Sequence, residues 1–173
     1  MLLARVGDTP YKLVLLLHIL TAIVGFGAVF LNGLYWRAAE RRKGVEGVAI
    51  AEINYDVSQM AGYFIYAVPV LGILLVLMSD KFYEFSQAWI SLSFLLYIVM
   101  LGLMHGLLRP NVKKINALMR EIAAGPPATG AGAGQPPQVD EIERLGRTAG
   151  LTGTILNLIV VVILYLMIWK PGF

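Results

Sequence analysis

Four stretches of this chain run for 22 to 24 residues without an Asp, Glu, Lys or Arg: Leu13–Trp36, Val57–Ser79, Phe85–Leu108 and Thr148–Trp169. A bilayer core about 30 Å thick is crossed by a helix of ~20 apolar residues, so each run is long enough to span it. Lipid offers no partner to a bare backbone polar group, which leaves helices and closed barrels as the only spanning structures. The runs are continuously apolar and do not alternate, which excludes barrel strands. The sequence therefore predicts an all-α fold, a transmembrane four-helix bundle. It forms a single transmembrane domain, residues 1–173, with spans at about 11–36, 57–79, 85–108 and 148–169.

Composition agrees, with 58% hydrophobic and 14% charged residues against the roughly 25% charged of a soluble domain. The first apolar run far exceeds the 7 to 15 residues of a signal-peptide core and ends at Trp36 and Arg37, so the first span is expected to be retained. Absence of cysteine excludes disulfides, thiolate metal sites and thiol catalysis. The net charge of +3 follows the demands of membrane topology and does not call for a nucleic-acid partner.

Positive charge is retained on the cytoplasmic side. Arg5, Lys12, Lys81 and Lys170 make four basic residues on one side; Arg37, Arg41, Arg42, Lys43, Arg109, Lys113, Lys114, Arg120, Arg144 and Arg147 make ten on the other. The two long loops are thus expected in the cytoplasm and both termini outside, in the cytoplasmic (inner) membrane of a bacterium. Trp36, Trp89 and Trp169 stand at span ends, where amphipathic rings prefer to lie. Only Asp80 to Glu84 join spans two and three, making them antiparallel neighbours. From Pro110 to Ala124, apolar residues recur at helical spacing (Val112, Ile115, Met119, Ile122), which predicts a short amphipathic cytoplasmic helix on the inner leaflet. The Pro/Gly/Ala-rich stretch 125–138 reads as a flexible cytoplasmic linker.

No span contains an internal Asp, Glu, Lys or Arg, which argues against a proton-coupled carrier. The first span aligns His18, Thr21, Gly25, Ala28 and Asn32 at helical spacing. Such a face usually turns toward protein, where small residues allow close approach, and Thr21, Gly25 and Asn32 are read as helix-packing residues. His18 carries the functional alternative, because an ionisable residue inside a span is a site hypothesis and imidazole ligates haem iron or copper. His105 lies roughly 20 Å deeper, near Arg109, so the two histidines do not share one metal. A second axial ligand at the depth of His18 would be Met78 or Met167, in a His/Met pair. Polar groups on the other spans (Tyr63, Tyr66, Ser91, Ser93, Tyr97, Thr152, Thr154, Asn157) supply interhelical hydrogen bonds, and Pro69 a kink.

The segments LLHILTAIVGFGAVFLNGLYW and RLGRTAGLTGTILNLIVVVILYLMIWKP resemble a family of bacterial four-helix integral membrane proteins with a domain of unknown function. More distantly the chain resembles the copper-resistance protein D and membrane protoporphyrinogen oxidase group. In that group a His in a Leu-His motif of the first helix is linked to haem or metal handling, and the resemblance carries over to His18 alone. The expected function is a non-enzymatic membrane subunit or accessory protein, with a protein partner or a second copy of itself, holding one b-type haem or a metal through His18. The alternatives are a haem- and quinone-linked oxidoreductase resembling the porphyrinogen oxidases and, third, copper handling.

Overall fold

The computed structural model describes residues 6–42, 44–125 and 137–172. Among these the chain is all-α: α1 (Thr9–Arg41), α2 (Val45–Leu77), α3 (Ala88–Leu103), a π-helical turn (Met104–Leu108), α4 (Arg109–Ala124) and α5 (Pro137–Trp169). Four helical stretches are long and apolar enough to cross a membrane: Thr9–Arg41, Val45–Leu77, Ala88–Ala124 and Gln138–Trp169. The linker expected at 125–138 falls mostly outside the described residues.

The helices outrun the apolar segments. Only Arg42 to Gly44 separate α1 from α2, so the loop expected after span one is largely helix. Its residues, rich in Ala, Glu and Arg, are good helix formers. Gly44, at φ +74°, takes the left-handed conformation that lets the chain turn there. Likewise α4 continues α3 through the π turn. Pro110 cannot donate to a carbonyl four residues back, and its ring would crowd that carbonyl. The chain shifts to the wider register just before it, where the Arg109 N–H bonds to the Met104 carbonyl.

By contacts the chain divides into two compact units. The first comprises residues 1–30, 58–100 and 157–173, the second residues 31–57 and 101–156. Unit one is a four-helix bundle whose organising feature is Pro69, inside α2. Proline removes the N–H that would bond to Ile65 O and pushes that carbonyl outward. The Tyr97 hydroxyl of α3 donates to this same oxygen at 2.7 Å, and Tyr97 is buried. Where α1 crosses α2, a Cβ on Gly25 would lie 2.9 Å from Ile65 Cγ1 and 3.0 Å from Ile65 N, so the two backbones approach as only glycine allows.

The α2–α3 hairpin is wider than the sequence suggested, since α2 stops at Leu77 and α3 starts at Ala88. Buried Ser79 organises the turn: its hydroxyl proton lies between Val76 O (2.7 Å) and Tyr83 O (3.0 Å), while its oxygen accepts the Tyr83 N–H at 2.9 Å. Asp80 and Lys81 follow at φ +52° and +65°, conformations an L side chain adopts at a cost. The C-terminal end of α5 is fastened here: Lys170 Nζ donates to the Tyr83 hydroxyl at 2.7 Å and sits over the rings of Tyr83 and Trp89, a cation–π arrangement.

Unit two is held differently. Lys114 pairs with Glu141 at 2.7 Å, Arg144 with the same carboxylate at 2.8 Å, and Arg120 with Glu52. Hydrogen bonds from Lys114 first and Arg144 second hold the Glu141 carboxyl below its ordinary pKa. Beneath the pairs, Ile115 and Leu145 are buried, and the Asn116 amide reaches Ala51 O at 3.4 Å. The helix read from the sequence as an inner-leaflet helix thus turns Ile115 and Asn116 toward protein.

Removing the Tyr97 hydroxyl should leave Ile65 O bare. Tyr97→Phe is expected to cost about 1 kcal/mol, measured by unfolding of the detergent-solubilised protein. The loss should shrink in a Pro69→Ala background, where residue 69 again supplies an N–H, and a double-mutant cycle reads that coupling.

Candidate functional site

The chemistry of unit one gathers around the Pro69 break. Three residues after Pro69, Gly72 presents no side chain to α1, and the His18 imidazole lies against it. A Cβ on Gly72 would lie 3.4 Å from His18 Cε1. The ring thereby reaches the Val68 carbonyl, with Nδ1 at 3.0 Å from the oxygen. A carbonyl only accepts, so Nδ1 carries the proton, which in a neutral ring leaves the lone pair at Nε2. Val68 and Ile65, the carbonyls bonded from α1 and α3, flank the proline on its N-terminal side.

The remaining residues singled out in the sequence lie elsewhere. Thr21 bonds back to Leu17 O and His18 O, both at 2.9 Å, within its own helix, and makes no hydrogen bond across to a neighbour through that hydroxyl. Gly25 is the point of close approach to Ile65, and Asn32 is half-buried. Met78 is buried with Tyr11 and Leu75, six residues, or about 9 Å of helix, beyond Gly72. Met167 packs against the cluster of Trp89, Ile90 and Leu166. Depth fixes position along a helix and says nothing of the direction round it, so the pairing of His18 with Met78 or Met167 stays a proposal. His105 is exposed in the π turn, with Nδ1 3.5 Å from an Arg109 nitrogen.

Two signals in the sequence were passed over. Gly72 stands four residues after Val68, where a side chain would cover that carbonyl. The pairs Gly102/Gly106 and Gly146/Gly150 have the G-x-x-x-G spacing of membrane-helix contact faces. In unit two Gly146 is occupied, a Cβ there coming within 3.3 Å of Trp36. Gly102, Gly106, Gly150 and Gly153 face open space, with nothing within 4 Å of a Cβ built on any of them.

Four apolar helices, with polar side chains of the apolar spans directed at backbone carbonyls, define a multi-pass integral membrane protein with four spans, residing in a lipid bilayer. The family described as "Predicted integral membrane protein (DUF2269)" matches residues 12–171, and the chain belongs to that family. No curated protein and no solved structure matches the chain. These comparisons do not show a likeness to the copper-resistance D group.

Nitrogen-15 spectra of the histidine-labelled protein should show His18 as the Nδ1-protonated neutral tautomer. Gly72→Val should displace the ring and abolish that signature, and a His18 spectrum averaging both tautomers would refute the bond to Val68.

Proposed function

We propose that this protein is a membrane subunit or accessory protein of the bacterial cytoplasmic membrane, with its termini outside, that works by pairing its helices with a second copy or another membrane protein. One observation carries the reading: among the described residues Gly102 and Gly106 are exposed and meet nothing, and Gly150 is equally open. Glycine is more frequent in membrane helices than in soluble ones, so one open glycine carries little. Two at contact-face spacing, on a segment otherwise rich in Leu and Met, are what a close-packed helix pair requires. The uncharged spans support the same reading, since His18 and Tyr97 are engaged in holding helices to one another.

The chain lacks cysteine, so single cysteines placed along residues 101–109 give clean cross-links in native membranes. The expected result is cross-linking confined to the face of Gly102 and Gly106. Gly102→Ile with Gly106→Ile should weaken association by about tenfold, ~1.4 kcal/mol, with helix content unchanged. A protein that stays monomeric at every protein-to-lipid ratio and carries no partner through purification would sink the reading.

The His18 geometry favours a second reading, in which this residue holds a b-type haem or a metal. A ligating histidine almost always gives its other ring N–H to an acceptor such as a backbone carbonyl, which fixes the tautomer and aims the free nitrogen. The Nδ1–H to Val68 O bond is that arrangement. Met78 or Met167 would supply the second axial ligand, in a His/Met pair. Haem bound here would supply electron transfer, and the chain would hold and orient the imidazole. Oxidised and dithionite-reduced spectra of protein from haem-supplemented cells are expected to show a Soret band that His18→Ala removes and His105→Ala retains. A band that also responds to quinol would favour the oxidoreductase, copper retained through His18 would favour copper handling, and a featureless spectrum would remove the haem reading.

A further inference from the structure

We propose that the C-terminal end of α1, with Arg37 and Arg41 on it and Arg42 directly after it, binds the phosphate of an anionic lipid headgroup. This end bears a recess of about 440 Å³ lined by Leu34, Arg37, Ala38, Arg41 and Arg42. At 100° per residue the four helical positions form one side of α1, and Glu40 falls roughly 110° round from its middle. Three guanidiniums therefore border one hollow, with no carboxylate of α1 on the same side.

Their isolation sets them apart within unit two. Lys114, Arg120 and Arg144 each hold a carboxylate, whereas Arg37, Arg41 and Arg42 are exposed and pair with no acid among the described residues. One cation in the last turn would complement the negative end of the helix dipole, and positive charge of any kind would serve topology. Neither requires three arginines around one recess. Guanidinium forks bind phosphate oxygens in pairs, which an ammonium cannot do. Leu34, 61% exposed, and Ala38 give the recess an apolar floor on its span side. Trp36, packed on Gly146, marks the interfacial level where headgroups lie. An acyl chain can thus run along the apolar surface of α1 while the phosphate meets the arginines.

The test uses the full chain in phosphatidylcholine vesicles containing a small fraction of spin-labelled lipid, either phosphatidylglycerol or phosphatidylcholine. The immobilised fraction of label measures lipid held at the protein. Phosphatidylglycerol should be held preferentially, by about fivefold per engaged arginine. Arg37→Gln with Arg41→Gln and Arg42→Gln should reduce that preference to near unity, and the triple Lys variant should recover only part of it. Lys114→Gln with Arg144→Gln removes two charges from the same unit and should leave the preference intact. Equal immobilisation of the two lipids would overturn the proposal, as would full recovery by lysine or equal loss in the Lys114/Arg144 variant. Displacement of the lipid by millimolar inorganic phosphate would reassign the recess to free phosphate and overturn the lipid assignment.

Discussion

A proline within a membrane helix leaves one carbonyl without its ladder partner, and in lipid no water can take the vacant place. The Ile65 oxygen is in that position, and the arrangement of unit one follows from how it is covered. Tyr97 must stand on the neighbouring helix with its hydroxyl at that depth. The α1 helix comes close enough for His18 to reach the neighbouring Val68 carbonyl, and that approach requires glycine at position 25 against Ile65. Tyr97 covers the carbonyl that the proline leaves bare, and His18 adds a second bond between helices one turn along. The two bonds explain why a bundle with no charge in its spans has a defined register, where apolar packing alone would tolerate sliding.

Much of this was legible in the residues because charge is so costly in lipid that its absence marks the spans, and because Pro69 and Tyr97 have narrow physical uses there. The stripe of His18, Thr21 and Gly25 could be placed on one face of α1 from spacing alone. Which carbonyl His18 would meet could not, since that depends on the rotation of two helices about their axes, and a continuous apolar sequence encodes rotation weakly. Helical continuation past the membrane is hidden for another reason: charged residues end an apolar run without ending a helix, since Arg, Glu and Ala are strong helix formers and the glycine at position 44 is what interrupts them.

The two units use different interactions, and the difference tracks their chemistry. Unit one joins helices through neutral side chains on carbonyls and a lysine set among aromatic rings at the hairpin. Unit two joins them through Lys114, Arg120 and Arg144 with Glu52 and Glu141, where carboxylates bear the charge of several arginines and lysines. Gly102, Gly106 and Gly150 fall in unit two with the exposed arginines 37, 41 and 42, while Gly27 of unit one is open as well.

The π turn before Pro110 counts in a way that a loop would not. It holds one residue more than an α-helical turn needs and absorbs that residue within the wider turn. The same residues wound as a regular α-helix would rotate everything after them by about 100° and carry Asn116 away from Ala51 O, which it reaches here. The turn is therefore a phase corrector for α4. A single-residue deletion there that restored the regular helix would keep the partners of α4, whereas tightening the turn at constant length would exchange them.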